Sequence, residues 1–366
     1  MKLKRRSVLL SVACAATFVG LTITAQAAEW HLVKTIQVPG HPIKVVDFST
    51  LNQENGLMYV TDRSNSGVDV FDTNNDTFVR RYGGFRGVVE KPERSGPNIA
   101  LFNGDVLWVT DAPSNIKVLA SGSGRILDTF DCEGGDARID GAALDPKDHI
   151  VMGESADSTL PYLCWIDGKG MKITEKQKWM REATNGLEGS QWDARTNVFY
   201  LALPEVTHGP GAVYVINPTT HAVVKSYPLP DGDRCEPAGI SLNTEQDEIL
   251  VGCDTKDYTD IISLKDGHVD QTGILGGTDQ TAYDPGTHMY FLGARRSSKG
   301  PVLGVIDSHT HKLVASPETS AGTHAVAVNY RTHKVYLPMA PNTKPFDNDV
   351  AKGLSCTHGC IGVYEQ

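Results

Sequence analysis

Beyond residue 28 the chain has no long stretch in which apolar side chains recur every 3.6 residues, so helices should be scarce and a helical bundle is excluded. It has a single long apolar run, near the N-terminus, and no second one that could span a membrane once the first is removed. Past the first six residues there is no Lys/Arg cluster of the kind that grips phosphate backbones or anionic lipid, which argues against nucleic acid and membrane surfaces as partners. The G-x-S-x-G elbow of serine hydrolases is missing, and Ser190 has no evident base nearby in sequence. The Gly-rich "SGSGRI" at Ser121 precedes a strand-like segment and not a helix, so it reads as a turn and not as a phosphate loop.

What is present places the chain in the globular class. Of its 366 residues 40% are hydrophobic and 21% charged, enough to bury a large core, and all-β folds of this size exist as single domains. Residues 1–28 combine a basic start, an apolar centre and an Ala-x-Ala ending at Ala27, the pattern of a cleaved secretory signal. Residues 29–366 are then the mature domain. The leader carries four basic and no acidic residues, so the formal charge of −10 becomes −14 on its removal. An exported, acidic, periplasmic or secreted monomer is expected, acting on or binding a small molecule.

One phrase recurs. "DGAALDPKDHIVMG" from Asp140, "EGSQWDARTNVFYLA" from Glu188, "TDQTAYDPGTHMYFLG" carrying Asp279 and "THAVAVNYRTHKVYLP" carrying His324 each set a polar residue before a strand, a turn and a second strand. Aligned on the turn, the leading positions are Asp47, Asn98, Asp140, Glu188, Ala238, Asp279 and His324, spaced about 46 residues apart, the period of a propeller blade. Second strands such as "LMYVTD", "VLWVTD" and "VFYLAL" are rich in branched and aromatic residues. Segments such as "VDVFDTNNDTFVRRY" supply a third and fourth strand around a polar turn. The expected fold is all-β, a seven-bladed propeller of four-stranded antiparallel blades.

The termini complement each other. The last unit ends at "CIGVYEQ", which matches a third strand, while the mature chain starts "HLVKTIQVPG", which matches a fourth. Residues near His31 to Val38 should therefore complete the last blade and close the ring, removing an exposed sheet edge.

Six cysteines remain after the signal. Cys235 and Cys253 lie symmetrically about the hairpin turn near residue 244 and should bridge the antiparallel pair; Cys356–Cys360 forms a short loop, and Cys132–Cys164 follows by elimination. In "CTHGC" a metal site with His358 is the weaker reading. His309 and His311 in "DSHTHK" read as a solvated hairpin turn.

"MYVTDRSNSGVDVFDTNNDTFV" resembles the repeat of YVTN-type β-propellers, and such units cover the whole mature chain. "EGSQWDARTNVFY" and "DGAALDPKDHIV" resemble blade openings of the senescence-marker/gluconolactonase family of calcium-dependent propeller hydrolases. That resemblance implies that leading acids or Asn residues point into the central channel and hold a metal. The chain departs from that family in blade number and in the order of its acids.

By the symmetry of the repeat, Asp47, Asn98, Asp140, Glu188, Ala238, Asp279 and His324 form a ring at one channel mouth. Four converging carboxylates require compensation, and a cation is one source of it. The expected ligands are Asn98, Asp140, Glu188 and Asp279, with Asp47 in the same ring; oxygen donors suit Ca2+, and recruiting His324 shifts the choice toward Zn2+ or another transition metal. Alternatively the acids hydrogen-bond strand-start amides or pair with nearby Arg. Two functions follow: metal-dependent, lactonase-like hydrolysis with Glu188 and His324 as acid/base groups, or a non-catalytic exported propeller binding a protein, sugar or metal at the same face.

Overall fold

The structure is a computed structural model and describes residues 29–230, 232, 234–272, 275–344, 346 and 353–366. The signal segment expected over residues 1–28 lies outside the described residues. Seven four-stranded antiparallel sheets form a closed propeller, and each successive blade takes four consecutive strands of the chain except the last. Helix among the described residues amounts to two three-residue 3-10 turns, Arg63–Asn65 and Pro92–Arg94. Every expected second strand is present, from Leu57–Asp62 in blade 1 to Val335–Met339 in blade 7.

Closure takes the expected form. His31–Gln37 pairs antiparallel with Cys360–Glu365 and becomes the outer strand of blade 7, so both chain ends share one sheet. Trp30, Leu32, Ile36 and Val38 are all buried there, and the Trp30 ring meets Phe291 of blade 6 edge-on at 4.9 Å. The inner strand of this blade, Ala327–Val328, is short. Gln280 of blade 6 reaches past it: its Oε1 accepts from Ser49 N at 2.9 Å and its Nε2 donates to Ser49 O at 2.7 Å, tying blade 6 to blade 1.

The core lies between neighbouring blades. Met152 and Trp165 of blade 3, for example, pack on Phe199 and Leu201 of blade 4, because alternate residues of each strand face opposite sheet surfaces. The polar phrase ends repeat a single turn chemistry. Asp72, Asp145, Asp193, Asn243, Asp284, Asp307 and Asn329 each accept, through Oδ1, a backbone N–H two residues on. Four residues after each comes a left-handed residue: Asp76, His149, Asn197, Asp247, His288, His311 or His333. Asx side chains stabilise such turns, and Asn, Asp and His tolerate the left-handed conformation better than other side chains.

This geometry corrects the reading of His311. His309 is solvated, but His311 turns back between blades, with Nδ1 2.7 Å from Asp270 and Nε2 3.0 Å from Glu248 of blade 5. The hydrogen bond to Glu248, reinforced by Asp270, raises its pKa to about 9 despite partial burial. A His charged in the fold and neutral when unfolded contributes stability that is complete below about pH 6.5 and is lost as pH rises toward 9. His311→Asn should therefore cost on the order of 2 kcal/mol at pH 6 and progressively less up to pH 9.5, as read from urea unfolding across that range.

All three expected disulfides form. Cys235–Cys253 spans the first hairpin of blade 5 with Cα atoms 5.0 Å apart, Cys132–Cys164 ties the end of blade 2 to the third strand of blade 3 at 5.9 Å, and Cys356–Cys360 closes its short loop at 5.2 Å. Three disulfides suggest an oxidising, exported environment. Among the described residues no helix is long and apolar enough to cross a membrane.

Candidate functional site

The leading residues of the repeat converge as the symmetry requires. Asp47, Asp140, Glu188, Ala238, Asp279 and His324 all line one mouth of the channel, around a polar cavity of about 370 Å3. Blades crowd at this level. A Cβ on Gly189 would stand 2.6 Å from Ala238 O and one on Gly239 2.7 Å from Asp279 O, so only glycine fits after these ring positions. Asn98 belongs to the ring but is wholly buried behind the cavity wall, where its Nδ2 donates to Ile139 O at 2.5 Å.

Three guanidinium groups supply most of the compensating charge. Arg63 bonds to Asp47, donates to Asn98 Oδ1 from Nη2 at 2.6 Å and lies 3.4 Å from Asp140, joining blades 1, 2 and 3. Arg138 grips Asp140 with both prongs, Nε at 2.5 Å and Nη2 at 2.9 Å. Arg295 holds Asp279 and Asp254, each at 2.7 Å. His324 lies 3.6 Å from Asp279 and 3.9 Å from Asp47 through Nε2, with Nδ1 2.5 Å from Gly322 O.

The consequences differ around the ring. Burial lifts Asp47 against the pull of Arg63. Burial would lift Asp140 too, but Arg138 and then Arg63 hold it below the usual carboxylate range, so it is the firmly ionised member of the pair. His324 would lose its proton on burial, yet Asp279 and Asp47 keep its pKa raised. Glu188 stands apart: among the described residues its carboxylate has no hydrogen-bond or ion-pair partner. Burial, then the negative charges of Asp140 and Asp279, push its pKa well up. Its deprotonation is therefore opposed by the fold, and stability contributed by the protonated form falls as pH rises through the folded pKa. Glu188→Gln should raise the melting temperature by a few degrees at pH 8 and leave it unchanged at pH 4, as measured by calorimetry.

The arginines carry a signal in the repeat that reading only the strand starts passes over. Arg63, Asp254 and Arg295 are each the first residue after a second strand, in blades 1, 5 and 6. In these three blades that position faces the same mouth as the leading residues.

The residues named for a metal are thus only partly available to one. Asn98 and Asp140 are engaged by Arg63 and Arg138, whereas Glu188, Asp279 and His324 retain open sides toward the cavity. Among the described residues, the sole trio of candidate ligand atoms within 4.8 Å of one another belongs to Cys235, Cys253 and Asp260, and those cysteines are joined in a disulfide.

No protein-family model matches the chain, and no curated protein matches its sequence. By structure it is similar to the WD40 domain of Pan2 from Neurospora crassa, with a TM-score of 0.64 and 9% identity over 92% of this chain and 95% of that one. At that identity the likeness is one of fold alone. The chain is a seven-bladed β-propeller.

Proposed function

We propose that the protein is an exported propeller, periplasmic or secreted, that binds a small polyhydroxylated molecule such as a sugar at its acid–arginine mouth, without a resident metal. The pairing of Asp47, Asp140 and Asp279 with Arg63, Arg138 and Arg295 carries this reading. With charge already balanced, the mouth offers lone pairs on the carboxylates and unused N–H groups on the guanidiniums side by side. A hydroxyl both donates and accepts, so a neutral polyol satisfies both sets without upsetting the ion pairs. Glu188, whose protonated form burial favours, adds a further polar group lining the cavity.

Metal-dependent, lactonase-like hydrolysis is the second reading, favoured by the uncompensated Glu188. Glu188, Asp279 and His324 would hold the ion, a set nearer to Zn2+ than to Ca2+. A metal there would polarise a substrate oxygen. It ranks second because the ring brings no three ligand atoms within chelating distance among the described residues.

Titration calorimetry of the dialysed protein against a panel of neutral sugars and polyols, alongside elemental analysis, separates the two. The proposal expects saturable binding by one ligand class, no stoichiometric metal, and loss of that binding in Glu188→Ala. A stoichiometric metal whose chelation lowers the melting temperature would overturn it in favour of the hydrolase.

A further inference from the structure

Below the ring the channel widens into a second chamber of about 610 Å3 that runs to the first hairpin turns on the opposite face. Unlike the mouth, it carries acids without arginines. Glu54, Glu154 and Asp279 line it, and no Lys, Arg or His does so among the described residues. Asp279 is already held by Arg295 from above. Glu154, which ends the second strand of blade 3, is wholly buried, and its carboxylate accepts from Ser190 Oγ, at 3.0 and 3.1 Å, and from its own backbone N–H. No cationic side chain among the described residues pairs with it. The rest of the wall includes Phe48, Leu101, Leu144 and Ile240, with Trp192 and Tyr330 toward the open end.

We propose that this lower chamber binds a small organic ammonium ion, with the Glu154 carboxylate as its counter-ion and Ser190 beside it as an acceptor. A buried acid without a cationic partner is costly, and a cation that enters with an alkyl body satisfies the carboxylate and the apolar wall together. A bare divalent ion would leave that wall unused and would find no chelating set of ligands. Aromatic rings toward the open end suit the approach of an organic cation. Burial, and secondarily the charge of Asp140, pushes the pKa of Glu154 well up, which favours the neutral carboxyl in the empty chamber. Where the carboxyl starts protonated, binding exchanges up to one proton: Glu154 releases H+ to solvent as the ammonium, which keeps its own protons, forms the ion pair.

The probe is n-butylammonium, titrated calorimetrically into the parent protein in two buffers of different ionisation enthalpy at pH 7, with n-butanol and Ca2+ as comparisons. Expected are saturable 1:1 binding, up to one proton released per ligand, and affinity at least about 10-fold above that of n-butanol. Glu154→Gln, checked for native circular dichroism, should weaken n-butylammonium binding by at least about 10-fold, while the exposed control Glu133→Gln binds as the parent does. Should Glu154→Gln fail to fold, the parent titration decides alone. Equal binding of n-butanol, binding of Ca2+ but not n-butylammonium, or undiminished binding by folded Glu154→Gln each overturns the proposal. Because a polyol at the upper mouth is titrated separately, failure of one site leaves the other standing.

Discussion

Deleting residues 29–39 should abolish cooperative folding. The segment contributes the outer strand of blade 7, paired through His31↔Glu365 to Gln37↔Cys360, and its removal exposes the Cys360–Glu365 edge together with the pocket vacated by Trp30. Burying a side chain of the size of Leu32 or Ile36 contributes about 1.5–3 kcal/mol, so losing Trp30, Leu32, Ile36 and Val38 with their ladder removes an amount comparable to the whole ~5–15 kcal/mol of a typical domain. The variant should be recovered as aggregate, or show no sigmoidal transition by circular dichroism. A melting temperature equal to the parent's would show that the ring closes some other way.

Arg63→Ala should be among the most damaging single substitutions at the mouth. The guanidinium is buried and is shared by Asp47, Asn98 and Asp140, so its loss leaves two buried carboxylates short of a partner and unties three blades at once. Breaking such a buried pair from one side costs about 3–5 kcal/mol. Lys at this position should recover only part of the loss, because an ammonium cannot fork between Asp47 and Asn98. The deficit should shrink as pH falls and the stranded carboxylates take up protons, which urea titrations at pH 7 and pH 4 would read directly. A loss below about 1 kcal/mol at pH 7 would mean that Arg138 alone compensates the ring.

Much of the architecture is legible because it is written in short-range pattern repeated seven times. A branched or aromatic strand such as "VFYLAL" forms wherever it stands, and the polar turn after it fixes the next reversal, so the blade count follows from the period. Cys235 and Cys253 were placed by the same logic, since a hairpin folds positions equidistant from its turn onto each other. The site was harder to read. Asp140 and Glu188 occupy equivalent places in sequence, yet Arg138 grips the first and nothing described grips the second. His311 resembles any exposed turn residue until its left-handed backbone swings the ring back onto blade 5.

By itself the sequence determined the all-β class, the seven units, the closure by the N-terminal strand, the disulfide partners and the convergence of the leading residues on one channel. These depend on periodicity and on symmetry, which constrain every repeat alike. The tertiary structure alone decided how charge is distributed along that channel. Arg63 and Arg295 follow the second strands of their blades and face Asp47 and Asp279 across their own first hairpins, but only closure of the ring brings Arg63 to Asn98 and Asp140 of the next two blades and Arg295 to Asp254 of the preceding one. The same closure leaves Glu154 facing a chamber that no cationic side chain lines among the described residues. Whether such an acid–arginine pair also gains a partner in a neighbouring blade depends on a few ångströms between blades, a distance that no repeat of residues along the chain encodes.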